Sequence, residues 1–182
     1  MTAKAKEILG TSIYFLVVLI ISLLIVKFVG QRTEVIGSSM NDTLYDGDNL
    51  ILDKVSYRFN EPERYDVIVF PFRDGSKKNY IKRIIGLPGE TVQIDADGNI
   101  YIDGELLIED YGKARILDPG LAINPIQLDD SHYFVLGDNR NDSSDSRFGE
   151  VKLVSRDEIL GRAWLRIWPL NAWGLVEHIS DK

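Results

Sequence analysis

Cysteine is absent from all 182 residues, which excludes a disulfide framework and any thiolate zinc site. Histidine is almost absent. His132 and His178 are too far apart in sequence for a metal cluster, and each reads as a surface or internally satisfied residue. No metal and no cofactor is expected. Positive charge is in deficit: 21 Lys and Arg stand against 28 Asp and Glu, a net −7, whereas nucleic-acid binders carry basic patches. Internal repeats and low-complexity segments are missing too. So are crossover helices in the body of the chain, which excludes a parallel sheet.

Apolar residues are present in one long run. Ile8 to Val26 is nineteen residues without a charge, preceded by Lys4 and Lys6. At 1.5 Å per residue it extends roughly 28 Å, enough to cross a hydrocarbon core. A cleavable signal peptide would have an apolar region of about 7–15 residues and a small-x-small site. Here the run is longer, and Lys27-Phe28-Val29-Gly30-Gln31 offers no such site. The expectation is a single uncleaved transmembrane helix. Residues 1–29 would be the N-terminal cytoplasmic tip and anchor, and residues 30–182 an extracytoplasmic domain. Lys4 and Lys6 face Lys27 and Arg32 across the span, so the positive-inside rule discriminates little. Residues 1–29 carry three lysines and one glutamate, +2, which leaves −9 for residues 30–182, a balance compatible with export. Ser39 comes thirteen residues after Val26, at most about 43–47 Å when extended, so Ser39 is expected to be tethered close to the bilayer.

Beyond the span the text turns to strands. Asn49–Val55, Tyr65–Phe70, His132–Leu136 and Gly161–Trp168 are rich in β-formers, and Tyr80–Ile85 reads as an apolar strand. Between Glu90 and Leu107, Asp97-Gly98 and Asp103-Gly104 sit between alternating strand residues, a strong hairpin pattern. Only Ser155–Leu160 has helix-cap character. These features predict a mainly β protein, an antiparallel barrel-like domain after one helix. Residues 108–130 read as an acidic loop, an extension on the rim.

One serine and one lysine carry the chemistry. Ser39 stands in the small-residue turn Gly37-Ser38-Ser39-Met40. A serine hydroxyl needs a base within hydrogen-bond reach, and no histidine with an acidic partner is evident. A Ser–Lys pair is the alternative. Lysine serves as a base only when neutral, and burial among apolar groups lowers its pKa. Lys82, between Ile81 and Ile84, suits that. By strand alternation Lys82 shares a face with Tyr80 and Ile84 while Arg83 points away. Gly37 and Ser38 allow a peptide backbone to approach and leave N–H groups for an oxyanion. Gly37 beside Ile36, Met40 and Leu44 suits a shallow slot for small side chains.

A second constellation runs from Gly137 to Arg147 and is dense in short polar side chains, expected to be held by Asx-type bonds and Asp–Arg pairs. Calcium on Asp138, Asp142 and Asp145 is the rival reading. An EF-hand, however, needs flanking helices and a glutamate at its twelfth position.

Four segments together resemble the type I signal peptidases, membrane serine endopeptidases with a Ser/Lys dyad. They are Gly37-Ser38-Ser39-Met40-x-x-Thr43-Leu44 with Gly47-Asp48, Arg64–Phe70, Tyr80–Glu90, and Gly137-Asp138-Asn139-Arg140 through Ser143, Asp145, Ser146 and Arg147. With one anchor and no cysteine, the chain looks more like the Gram-positive form. The resemblance implies Ser39 as nucleophile and Lys82 as general base. It implies Ser143 orienting the lysine, Asp145 and Arg147 bracing the loop, and Ile36, Met40, Leu44, Tyr80 and Ile81 lining pockets for Ala-x-Ala sites. The implied partners are signal-peptide-bearing precursors and the lipid bilayer. Asp42 departs from the family pattern, which has proline there. Its carboxylate would oppose a lowered Lys82 pKa, and it leaves a rival reading: a non-catalytic relative acting as a chaperone in surface-structure assembly. A soluble self-cleaving repressor shares the dyad logic but needs a DNA-binding segment where this chain has its apolar run.

Overall fold

The computed structural model describes residues 3–28, 30–72, 78–112 and 114–178, without the side chains of residues 3, 5 and 23–28. Helix α1 covers Ala3–Phe28, and its large apolar side chains from Ile8 to Ile21 are exposed. The side chains of residues 23–26, which end the expected span, lie outside the described set. Among the described residues no helix is long and apolar enough to cross a membrane.

Among the described residues twelve strands follow: β1 Gly30–Glu34, β2 Asn49–Asp53, β3 Val67–Pro71, β4 Asn79–Gly86, β5 Thr91–Ile94, β6 Ile100–Ile102, β7 Glu105–Leu106, β8 Ile126–Gln127, β9 His132–Leu136, β10 Val154–Ser155, β11 Gly161–Trp168 and β12 Gly174–Leu175. All pair antiparallel. The large sheet has the order β1-β2-β11-β3-β4-β9-β10, with β12 on β11, and the small sheet the order β7-β6-β5-β8. The expected barrel is therefore not closed, since β1 and β10 are free ends of an open path. The chain leaves the large sheet after a bulge between Ile84 and Gly86 and starts a separate sheet at β5, so its strands cannot bridge the two ends.

Local chemistry explains the elements that matter here. Asp103 and Gly104 both have positive φ, 51° and 85°, as the two-residue turn between β6 and β7 requires. Ser155 and Glu158 form a capping box around the short 3-10 turn Arg156–Glu158. Strands β3 and β4 lie in the middle of the large sheet and are buried on both faces. Val67, Val69 and Ile81 pack into one apolar cluster with Met40, Leu44, Leu50 and Leu52, while Ile68, Phe70 and Ile84 pack into another with Tyr133, Val135 and Val154. Double burial is why both strands read as nearly unbroken apolar text. In this register Lys82 stands opposite Ile68 and Arg83 opposite Val67, so the alternation expected from sequence holds.

A third cluster joins the sheets. Val92, Ile94, Ile100 and Ile102 of the small sheet meet Ile85, Phe134 and Leu136 of the large one. Within 108–130, a 3-10 turn spans Gly120–Ile123, and Ile116, Ala122 and Leu128 are buried in this same cluster. Phe134 is fully buried there, so Phe134→Ala should destabilise the protein by about 3–5 kcal/mol, whereas Leu106→Ala, at an exposed edge, should stay within about 0.5 kcal/mol. Urea unfolding of the full chain in detergent checks both.

Candidate active site

The turn after β1 delivers Ser39. Gly37 has φ +91°, and the N–H groups of Thr43 and Leu44 both bond Met40 O, which curls residues 40–44 tightly. Met40 and Leu44 are buried beneath that curl and anchor it. From β4, Lys82 reaches the same place. Its Nζ lies 2.7 Å from Ser39 Oγ and 3.0 Å from Ile81 O. The amine is almost wholly buried, with 2% of the residue exposed. Burial lowers its pKa from 10.5 to about 8, against an opposing pull from Asp145 and Asp138. Tyr80 closes one side, its ring centroid 5.3 Å from Nζ.

The loop from Gly137 to Arg147 forms the opposite wall. Asn139 N–H donates to Ser39 O at 3.1 Å, and its Nδ2 donates to Ser38 O at 3.1 Å. Ser38 Oγ donates to Asp142 Oδ2 at 2.5 Å. Gly137 is needed for close approach: a Cβ there would lie 2.4 Å from Ser39 O and 2.3 Å from Ser143 Oγ. Three buried arginine–carboxylate pairs hold the loop, each bidentate. Arg83 binds Asp138 at 2.9 and 2.7 Å, Arg147 binds Asp145 at 2.8 and 2.9 Å, and Arg140 binds Glu109 at 2.7 and 2.9 Å. Thr43 Oγ1 donates to Asp138 Oδ2 at 2.5 Å and ties the turn that carries Ser39 to the first pair. These guanidinium bonds occupy Asp138 and Asp145, two of the three carboxylates a calcium ion would have needed.

The structure gathers Ile36, Gly37, Met40, Tyr80 and Ile81 around a cleft of about 170 Å³ that also holds Ser39 and Lys82. Leu44 is not in it. The curl turns Leu44 into the core, away from the cleft. The expected bond from Ser143 to Lys82 is not made: Ser143 Oγ is buried without a hydrogen-bond partner among the described residues, and Lys82 uses Ser39 and Ile81 instead. Asp145 and Arg147 pair as expected. Gly37 N–H is committed to Asp46 Oδ1 at 2.7 Å and is not free for the expected oxyanion role, whereas the N–H groups of Ser38 and of the neighbouring Ser39 have no acceptor among the described residues. Asp42 is exposed on another flank, by Thr43, Leu44 and Arg166, and its carboxylate is not among those acting on Lys82. A hollow of about 500 Å³ over the small sheet, by Asp97 and Arg115, contains neither Ser39 nor Lys82. His178 is internally satisfied by Ala163 O and Val67 N–H.

Sequence reading missed Asn139, Thr43 and Glu109. The first two were visible only as letters within motifs, because their partners lie about a hundred residues away. Glu109 gave no signal at all in an acidic loop.

The signal peptidase, peptidase S26 family model matches residues 8–168. The chain is 42% identical over its whole length to a probable signal peptidase I-2 of Synechocystis sp., of which it covers 85%. It is 40% identical to a signal peptidase I of Leptolyngbya laminosa, over 85% of this chain and 77% of that protein. A crystal structure of a signal peptidase I from Enterococcus faecalis is 33% identical, with a TM-score of 0.46 over 57% of this chain and 97% of that one.

Two outcomes are expected. Between about pH 8 and 10.5 an unfolded lysine keeps its proton while folded Lys82 has lost it, so stability rises with pH across that window and the cost of burying the ammonium is full below it. Lys82→Met should therefore exceed wild type in stability at pH 7 by up to about 3 kcal/mol, with the gap shrinking toward pH 10.5 in urea unfolding. Asp42 has φ +86°, which proline cannot adopt. Asp42→Pro should cost at least about 2 kcal/mol, and Asp42→Gly should be neutral or stabilise by up to about 1 kcal/mol, in the same unfolding assay.

Proposed function

The chain belongs to the signal peptidase family, peptidase S26, a family of serine proteases, and from that premise we propose that it cleaves N-terminal signal peptides from exported precursors at small-x-small sites, with Ser39 as nucleophile and Lys82 as general base. The observation that carries this reading is the 2.7 Å separation of Lys82 Nζ and Ser39 Oγ at an amine shielded from water. With a pKa of about 8, roughly one Lys82 in ten is neutral at pH 7, against about one in three thousand for an unshifted lysine.

Neutral Lys82 takes the hydroxyl proton as Ser39 Oγ attacks the scissile carbonyl. Ser39 N–H stabilises the oxyanion. The leaving amine takes the proton from the Lys82 ammonium, and an acyl-enzyme remains. Lys82, neutral again, deprotonates a water that attacks the ester, and then returns that proton to Ser39 Oγ as the acyl group leaves. The narrow cleft walled by Ile36, Gly37, Met40, Tyr80 and Ile81 suits small side chains. The buried Ser143 Oγ, without a hydrogen-bond partner among the described residues, is assigned to orient the lysine once substrate displaces the Ser39 hydroxyl, and the Asp145–Arg147 pair to brace that loop.

We assign Ile8–Val26 as a membrane anchor, with the N-terminus in the cytoplasm and residues 30–182 outside. The uncharged run and the exposed apolar side chains of α1 support this, as do the exposed Trp164, Trp168 and Trp173 on and after β11, a residue type favoured at membrane interfaces. The rival chaperone reading drew on Asp42, whose carboxylate does not act on Lys82.

Ser39→Ala and Lys82→Ala should each lower cleavage of a detergent-embedded Ala-x-Ala precursor by at least about a thousandfold with the fold intact. The wild-type rate should rise with pH through an apparent pKa near 8. Normal processing by either variant would sink the assignment.

A further inference from the structure

Two hollows meet at the rim of the cleft. Asp142 and Ser144 line both the Ser39–Lys82 cleft and an open hollow of about 570 Å³ that continues along Phe148 to Glu150. The charged residues on this joined surface are Lys82, turned toward Ser39, and the carboxylates Asp142 and Glu150. These two differ from their neighbours. Asp138, Asp145 and Glu109 are each bound by an arginine, whereas among the described residues the carboxylates of Asp142 and Glu150 have hydroxyl partners, Ser38 Oγ at 2.5 Å and Ser144 Oγ at 2.9 Å. Among the described residues no Lys, Arg or His pairs with either.

Lys82 is buried at the inner end beside Ser39, so the charge that faces the rim is the negative charge of the carboxylates, and low-dielectric walls concentrate its field on whatever enters. The bond from Ser38 fixes the Asp142 carboxylate beside the residue that precedes the nucleophile, so this field acts within a few substrate residues of the scissile bond. We infer that Asp142, backed by Glu150, forms a subsite that selects a basic side chain in the substrate segment flanking the cleavage point. The inference rests on the reading of Ser39 and Lys82 as the cleaving pair. Asp142 is exposed, so solvent and salt weaken the preference without abolishing it.

The test uses precursors with a single Lys or Glu at each of four positions on either side of the scissile bond. At one position the Lys-to-Glu ratio of kcat/KM should be about fivefold to tenfold at low ionic strength and fall in 0.5 M salt. Asp142→Asn, which retains an oxygen to accept from Ser38, should bring that ratio near one. Glu150→Gln should lower it in part, and Asp130→Asn, remote and exposed, should leave it unchanged. Because each ratio is taken within one variant, loss of folded protein does not move it. Equilibrium binding of the same precursors to Ser39→Ala gives a second reading independent of cleavage. Lysine preference in binding with no cleavage by wild type would remove the catalytic assignment and keep this one. A ratio near one at every position, or one that Asp142→Asn leaves intact, overturns it.

Discussion

An amine taken out of water must be balanced by something, and everything around Lys82 follows from how little is offered to it. Its nitrogen has one hydroxyl and one carbonyl. The two carboxylates whose charge reaches it are each held by an arginine before they can hold the lysine. Had either been free, the ammonium would have settled into an ion pair and kept its proton. Apolar β3 and β4, covered on both faces, supply the dry surroundings that no loop could.

Neighbours on one strand show the contrast. Lys82 and Arg83 are both buried, yet alternation sends them to opposite faces with opposite fates. Arg83 is saturated by Asp138, by Tyr65 O at 2.8 Å and by Glu177 O at 3.1 Å, and it lies over the Tyr111 ring. A guanidinium stays charged in such a place, while an ammonium with few partners gives up its proton. Breaking a buried pair of this kind typically costs about 3–5 kcal/mol, so the arginines hold the loop geometry firmly even where they add little net stability.

Much of this was legible in the text of the chain. The Asp-Gly turns, the strands β2 to β6, β9 and β11, and the juxtaposition of Ser39 with Lys82 follow from local chemistry or from motif order. What escaped was non-local. Sheet closure depends on which strand ends meet, and the bulge at Ile84–Gly86 that diverts the chain has no letter of its own. Leu44 looked like a wall of the cleft, but the curl after Met40 turns it inward. Asp42 was read as a charge near Lys82, whereas a positive φ carries it to another flank. Glu109 and Asn139 matter through partners at a distance, and spacing alone does not name them.

The bond from Arg83 to Glu177 has a temporal meaning. Glu177 lies 94 residues after Arg83, and the arginine it helps to hold fixes Asp138 and, through Thr43, the turn that carries Ser39. A ribosome must therefore release the chain through Glu177 before this bond can complete the set that holds Ser39 and Lys82 together. Until then the nascent polypeptide carries both side chains without the completed scaffold, so in this hydrolase the site is assembled only after the last described strand, Gly174–Leu175, has been made.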